Sequence, residues 1–238
     1  MQPTKPRIGF DRFIRLEWAT KALEVRNGLA EIAELEAILG EAHSGLAAKK
    51  KTRTILNRLW LEPRDDIELF AQRAAEFFNS EREIPPVVLT WGMAIVTYPF
   101  FARVIEIVGR LTSLQSECSS AEVHRRMEEV YGEREGTRRM TNMVLQSLAD
   151  WGIIARHNKG KQIALKEPIY LEGSQVISWI VEACVYTSGR SLSIAAIDYN
   201  PLLFPFRLGG SLSYILSGSD ALELRVDSAG NQIVTIRD

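Results

Sequence analysis

Hydrophobic residues recur at helical spacing through residues 10–80 of the chain. The first such run contains Phe10, Phe13, Ile14, Trp18, Leu23 and Val25. Gly28 ends it, and the same spacing predicts further helices over 29–39, 44–60 and 65–78. The side chains predicted to face inward from the last of these helices are Ile67, Leu69, Phe70, Ala74, Phe77 and Phe78. Residues 1–80 are therefore predicted to form an N-terminal helical bundle.

A longer apolar stretch runs from Val87 to Leu111 and contains Pro99. Because proline disrupts the interior of a helix, the stretch predicts two helices that meet near this residue. Polar residues interrupt it, whereas a membrane span needs about 20 mainly apolar residues, so we expect a buried helix pair and no membrane partner. The charged segment 81–86, which ends in two prolines, is the best candidate for a linker in the first half of the chain.

The pattern from Ser119 to Gly152 predicts two helices joined by a tight polar turn. Ser119 and Glu122 have the Ser-x-x-Glu spacing of a capping box, which marks the start of the first helix. Gly132 is predicted to end that helix. Thr137 is expected to cap the second helix, which Gly152 then ends.

Two short strands are predicted directly after this pair of helices, over 153–155 and 162–165. The residues at 158–160, Asn-Lys-Gly, are suited to the turn between them. The order helix, helix, turn, helix and hairpin is typical of a winged helix-turn-helix, which we predict over residues 86–166. Winged helices also serve as protein-docking modules, so this fold does not determine the ligand.

Residues 168–238 are predicted to form a third unit. Helices are predicted over 172–188, 191–197 and 211–216, followed by a β-hairpin over 222–236. Helices followed by a hairpin indicate a C-terminal helical or winged-helix-like unit, but the turn of this hairpin carries no lysine or arginine. The chain as a whole is thus predicted to be mainly α.

Composition narrows the possible functions. The chain has 238 residues and a formal net charge of −1, so a positive surface for nucleic acid has to be local. Its two cysteines and three histidines are scattered without metal-ligand spacing, which predicts no metal site and favours a reducing, cytoplasmic location. The sequence contains neither a Gly-rich phosphate loop nor a Gly-x-Ser-x-Gly motif. We therefore expect a soluble protein without enzymatic activity or a cofactor.

The second helix of the predicted winged helix carries side chains that can contact DNA. The residues predicted to face outward are Arg138, Arg139, Thr141, Asn142 and Gln146. Arginine and the side-chain amides can form bidentate hydrogen bonds with base edges, and the start of this helix faces the major groove in helix-turn-helix proteins. A solvated helix face has a similar composition, so the pattern alone does not decide between the two.

The turn of the predicted hairpin is basic. Its candidate DNA-binding residues are Arg156, His157, Lys159 and Lys161. Fixed positive charges without an acidic neighbour suit contact with the DNA backbone or the minor groove. Acidic residues are close in sequence, at Glu122, Glu128, Glu129, Glu133 and Glu135. They have to point away from the phosphates if this module binds DNA.

A second basic group lies in the N-terminal bundle and contains Lys49, Lys50, Lys51 and Arg53. On one helix these residues spread over more than one face, which is common for a solubilising surface. They are candidates for a secondary DNA contact.

Five segments together resemble the BrxA-type family of BREX phage-defence systems. They are "FDRFIRLEWATKAL", "KKKTRTILNRLW", "WGMAIVTYPFFARVIEIVG", "SLADWGIIAR" and "LLFPF". The similarity spans most of the chain, but it is one of pattern without a single diagnostic motif. The resemblance implies a compact, all-helical accessory factor that binds DNA without cutting it and is encoded with a methyltransferase and an ATPase.

Three functional hypotheses follow. The first is an accessory protein of a bacterial defence system that binds double-stranded DNA and associates with other subunits of a defence complex. The second is a protein-interaction scaffold whose best candidate docking surface contains Leu202, Leu203, Phe204 and Phe206. The third is a transcriptional regulator, which would need a dimer and a palindromic site, although no coiled-coil heptads are visible. The sequence leaves the oligomeric state open.

Overall fold

The computed structural model describes residues 9–80, 84–113 and 115–237, and most of them lie in helices, which confirms the prediction of a mainly α chain. The helices are α1 (Leu16–Arg26), α2 (Ile32–Ala42), α3 (Leu46–Leu56), α4 (Glu68–Ser80), α5 (Pro86–Thr97), α6 (Pro99–Thr112), α7 (Ser120–Tyr131), α8 (Glu135–Asp150), α9 (Ser174–Ser188) and α10 (Leu212–Ser217). The strands are β1 (Glu117–Ser119), β2 (Ile154–His157), β3 (Gln162–Leu165), β4 (Ile169–Leu171), β5 (Leu192–Ser193), β6 (Phe206–Leu208), β7 (Leu222–Val226) and β8 (Gln232–Ile236). A π-helical turn at Asn57–Leu61 continues α3, and 3₁₀ turns lie at Asp65–Ile67, Asn158–Gly160, Ile194–Tyr199 and Pro201–Leu203.

The N-terminal helices differ from the prediction at two places. Helix α1 begins only at Leu16, and the chain before it is irregular, although Phe10 and Ile14 in it are fully buried. The prediction that Leu69 faces inward is wrong, because its side chain is 72% exposed. It lies beside Phe70 in sequence, and neighbours on a helix point in different directions.

Helices α5 and α6 are the two helices predicted from the long apolar stretch. The chain bends by 114° between them, and α5 is buried from its second residue to its last. Among the described residues, no single helix is long and apolar enough to cross a membrane. Residues 81–83 of the predicted linker lie outside the described residues, and α5 begins at the last residue of that segment.

One continuous core joins the three predicted units. Trp60, Trp91 and Trp179 belong to different units, and each is at most 2% exposed. The ring of Phe70 in α4 stacks on Trp179 in α9 with centroids 4.4 Å apart. Gly92 allows α5 to approach α9, since a Cβ at this position would lie 2.3 Å from the Trp179 ring. The helices of the first 80 residues therefore pack on the rest of the chain, a point that the sequence left open.

The chain around the start of α1 packs on the end of α8 through three hydrogen bonds. The backbone N–H of Ile14 donates to Ser147 Oγ at 2.9 Å, and its carbonyl accepts from Trp151 Nε1 at 2.9 Å. The N–H of Leu16 donates to Asp150 Oδ2 at 2.8 Å. Both backbone groups of a buried residue are thus satisfied, which fixes how the N-terminal segment lies on α8.

Residues 99–165 fold as helix α6, strand β1, helices α7 and α8, and a hairpin of β2 and β3. The three strands form an antiparallel sheet in the order β1-β3-β2, and β1 is an element that the sequence pattern did not predict. Ser119 caps α7 as predicted, because its side chain accepts a hydrogen bond from the N–H of Glu122, whereas the carboxylate of Glu122 binds Arg125 and Arg126. The capping prediction for Thr137 is wrong: α8 begins two residues earlier, and Thr137 is fully buried inside it.

The C-terminal segment contains two further small sheets beside α9. Strands β4 and β6 pair in parallel, and β5, β8 and β7 form an antiparallel sheet in the order β5-β8-β7. The predicted terminal hairpin, β7 and β8, is confirmed. The predicted helix over 191–197 is wrong at its start, where β5 stands, and continues as a 3₁₀ turn.

The apolar segment around Leu202 is part of the core. Leu202, Leu203 and Phe206 are 7%, 3% and 3% exposed, and Phe204 is half-buried against Trp91. The indole N–H of Trp91 also donates to the carbonyl of Leu202 at 3.0 Å. The prediction of an exposed docking surface here is therefore wrong, because α5 and α6 cover the segment.

Candidate nucleic-acid interface

The start of α8 presents two arginines to solvent. Arg138 and Arg139 are exposed, whereas Met140 and Val144 on the opposite face are buried in the core. The inward side chains recur every three to four residues, so the helix has one buried face and one polar face. Two of the five residues of α8 predicted to bind DNA are thus exposed.

The other three predicted residues of this helix are less accessible. Thr141 is fully buried, and its hydroxyl donates to the carbonyl of Thr137 at 2.8 Å. The prediction that Thr141 faces outward is therefore wrong, because it lies three positions before the buried Val144 and shares its face. Asn142 and Gln146 are half-buried. Of these three, Thr141 has no route to a ligand without unfolding the helix.

The β2–β3 hairpin ends in a tight turn with three exposed basic side chains. Asn158 and Lys159 have φ of 50° and 56°, in the left-handed region, and Gly160 has φ of 82°. This turn projects His157, Lys159 and Lys161 into solvent, and all three are exposed. The structure therefore places these three predicted residues of the hairpin turn on the surface.

The guanidinium group of Arg156, a predicted DNA-binding residue, is hydrogen-bonded within the protein. Its Nη2 donates to Asn142 Oδ1 at 2.9 Å and to the carbonyl of Gly160 at 3.2 Å, while its Nε has no partner among the described residues. Burial lowers the pKa of this side chain. Arg156 therefore joins the hairpin to α8, and little of its guanidinium remains for DNA.

The acids of α7 are largely neutralised within their own helix. Glu122 accepts hydrogen bonds from Arg125 and Arg126, and these guanidinium groups lower its pKa to about 2. Glu129 pairs with Arg125 as well. Two of the five acidic side chains that were unfavourable in the sequence, Glu122 and Glu129, are thus partnered by arginines of α7.

Glu128 is the exception, because it pairs across to α8. Its carboxylate accepts a hydrogen bond from Arg138 Nε at 3.1 Å. It lies in a shallow groove between α7 and α8 whose charged lining also includes Arg125, Glu135 and Arg139. Three arginines against two glutamates leave this groove with a net charge of only +1. Sequence reasoning missed this pair, since its members are ten residues apart on different helices.

The predicted secondary patch is divided by pairing with α2. Lys49 and Arg53 both bind Glu36, with N–O distances of 2.9 and 2.7 Å. Lys50 and Lys51 are exposed. Among the described residues, Lys50 and Lys51 are thus the half of this patch whose charges form no ion pair.

Other chemistry is sparse in the described part of the chain. No group of three metal-ligating side chains comes together there. Cys118 and Cys184 are both buried and unpaired, and burial raises the pKa of each thiol, that of Cys118 to about 11. His124 binds the carbonyl of Ser120 through Nδ1. The two thiols thus lie within the packed interior, and Nδ1 of His124 is engaged in a hydrogen bond within its own helix.

No family model, curated protein or solved structure matches this chain.

Proposed function

We propose that residues 99–165 form a winged helix-turn-helix that binds double-stranded DNA. In this proposal the exposed start of α8, with Arg138 and Arg139, enters the major groove. The hairpin end, with Lys159 and Lys161, contacts the phosphate backbone. The order of helices and strands from α6 to β3 supports this arrangement, as it is the order of that fold.

The observation that carries the proposal is the hydrogen bond from Arg156 to Asn142. It holds the hairpin beside the exposed face of α8, so the basic residues of the two elements face one ligand rather than two. A duplex that reaches both elements binds through several phosphates at once. The small net charge of the α7–α8 groove indicates modest, salt-sensitive affinity.

The test uses two double variants of the full chain, with a labelled duplex of mixed sequence titrated by fluorescence anisotropy. Lys159→Ala with Lys161→Ala removes two proposed phosphate-binding side chains, and Arg58→Ala with Arg207→Ala removes the same charge from exposed positions outside the proposed interface. We expect the first variant to bind weakly, with a log K against log salt slope smaller by about 0.9 for each phosphate that is no longer neutralised. Equal weakening in both variants would attribute binding to net charge and contradict the proposal, as would no binding at low salt.

The accessory role in phage defence is a further part of the proposal, and it rests on the sequence resemblance alone. It implies binding without cleavage. Incubation of the protein with supercoiled plasmid and Mg²⁺ should leave the plasmid intact at concentrations that shift its mobility. Nicked or linear product that tracks the protein through purification would contradict this part.

A further inference from the structure

A cavity of about 760 Å³ lies apart from the α7–α8 groove, where α6 and the end of α7 meet the end of α9 and the segment after it. Its volume is within the range of small-molecule sites in proteins, roughly 300–1,000 Å³. None of the residues that line it belongs to α8 or to the β2–β3 hairpin. It is therefore a separate feature from the proposed DNA interface.

The charged lining of this cavity is strongly biased towards arginine. Arg103, Arg110 and Arg190 line it together with a single acid, Glu106. Glu106 pairs with both Arg103 and Arg110, the first at 2.6 Å. Arg190 is exposed and has no side-chain partner among the described residues. The cavity thus has a net charge of +2 in a chain whose overall charge is −1.

Glu106 also determines how two of these guanidinium groups are held. By binding both Arg103 and Arg110, its carboxylate keeps them on the same side of α6. A planar guanidinium group can form bidentate hydrogen bonds with two oxygens of a phosphate. An incoming phosphate would meet side chains that are already ordered, so less conformational entropy is lost on binding.

The remainder of the lining offers aromatic and apolar surface. Tyr131 lines the cavity and is 4% exposed, and the positive charge of Arg103 opposes the rise that burial causes in its pKa. Tyr199 is 86% exposed and Val130 44% exposed at the opening. An aromatic ring that projects into solvent beside arginines is suited to stack on a planar group.

We propose that this cavity binds a phosphorylated small molecule with a planar body, of the nucleotide class. Arg190 and Arg103 contact the phosphates, and Tyr199 packs on the planar group. One wall of the cavity comes from α6 and α7, and the other comes from the C-terminal segment. A bound ligand would therefore contact both parts of the fold and stabilise their packing. The DNA backbone also carries phosphates, but the bases of a duplex are stacked inside it and offer no free planar group to this cavity.

The test measures binding of ATP, AMP, adenosine and pyrophosphate to the full chain by isothermal titration calorimetry, without DNA. We expect ATP to bind more tightly than AMP, and adenosine to bind weakest. Arg190→Ala should weaken ATP binding by about tenfold or more, the usual effect of removing one charge-assisted hydrogen bond. Tyr199→Ala should weaken ATP binding but not pyrophosphate binding. Both side chains are exposed, so neither substitution should impair folding.

The matched control is Arg58→Ala, an exposed arginine that does not line the cavity. It should leave ATP affinity unchanged. Absence of ATP binding at millimolar concentration, or equal weakening in the Arg58 and Arg190 variants, would overturn the proposal. A fall in duplex affinity in Arg190→Ala without any ATP binding would also overturn it, because the arginines would then belong to the DNA interface. The Lys159 and Lys161 double variant should retain ATP binding. Loss of ATP binding can therefore be distinguished from loss of the proposed DNA binding.

Discussion

Arg138 on α8 donates a hydrogen bond to Glu128 on α7, with 3.1 Å between Nε and the carboxylate oxygen. Glu128 is 16% exposed, whereas Arg138 is 69% exposed, so the arginine can leave the pair more readily than the acid can move. The pair holds the two helices in register and at the same time competes with a phosphate for the guanidinium. Because of this double role, substitution of Glu128 tests whether Arg138 contacts DNA in the proposed interface.

Replacing Glu128 by Gln should raise the affinity for duplex DNA by roughly two- to fivefold, the value of a surface ion pair that no longer has to be broken. Fluorescence anisotropy at one salt concentration measures the change. Glu129→Gln is the matched control, because it removes the same charge from the same helix but is paired with Arg125 instead. An equal gain in both variants would mean that overall charge, rather than the release of Arg138, is responsible.

Ser147→Ala should lower the free energy of unfolding by about 1–3 kcal/mol. The Ser147 hydroxyl accepts from the N–H of Ile14, which is fully buried and would be left without a partner. Urea denaturation followed by tryptophan fluorescence measures the change. Ser80→Ala at the exposed end of α4 removes a hydroxyl that binds only a carbonyl of its own helix, so it should change stability by less than about 0.5 kcal/mol. Similar values for both would contradict the tie between the N-terminal segment and α8.

Gly109→Ala should destabilise the protein by about 1–3 kcal/mol or more, as overpacking of a core does. A Cβ at this position would lie 2.2 Å from the carbonyl oxygen of Pro201, and that backbone cannot move aside easily. Gly136→Ala is the control, since a Cβ there meets nothing within 4 Å. Because alanine favours helix over glycine, the control should be neutral or gain up to about 1 kcal/mol. Thermal unfolding of both variants provides the comparison, and a tolerated Gly109→Ala would contradict the close packing of α6 on this segment.

Neither cysteine should react readily with Ellman's reagent in the folded protein at pH 8. Burial raises the pKa of Cys118 from 9.0 to about 11 and that of Cys184 further. At pH 8, below both pKa values, the thiolate fraction of Cys118 falls on the order of 100-fold. Two thiols should react in urea and none rapidly in buffer. Rapid labelling of the native protein would mean that one of these thiols is accessible.

Local features of the fold could be predicted from the sequence, whereas features that depend on distant contacts could not. The two helices on either side of Pro99 and the Ser119 cap follow from proline and capping chemistry within a few residues. The β1–β3 pairing joins segments more than 40 residues apart, where Cys118 lies opposite Ile163, and its three-residue strand has no periodicity to detect. The burial of Leu202 depends in the same way on α5 and α6, and its hydrogen-bond partner Trp91 in α5 comes 111 residues earlier.

The features of the candidate site also divide into those that the local sequence predicts and those that depend on distant residues. Exposure of Arg138 and Arg139 followed from the helical pattern, and that pattern also places Thr141 on the buried face with Val144. Its polar side chain misled the prediction, because a threonine hydroxyl inside a helix can bond to the carbonyl four residues back and remain buried. The role of Arg156 depends on Asn142, 14 residues earlier, and no local signal distinguishes it from the lysines beside it.

Substitution of Arg156 distinguishes a structural role of this side chain in the hairpin from a direct role in DNA binding. Arg156→Ala removes the hydrogen bonds to Asn142 and Gly160, so it should loosen the hairpin and lower the free energy of unfolding by about 1–2 kcal/mol. DNA affinity should fall as well, because the lysines are then no longer held beside α8. Lys159→Ala removes an exposed charge and should reduce affinity without changing stability.

Asn142→Ala separates the two effects. It removes the same hydrogen bond from the α8 side and leaves all the positive charges in place. If Arg156 acts by positioning the hairpin, Asn142→Ala should reproduce both the lower stability and the lower affinity, with little change in the salt dependence. If Arg156 instead binds a DNA phosphate directly, Asn142→Ala should bind normally, and only Arg156→Ala should reduce the salt slope, by about 0.9 for that one phosphate.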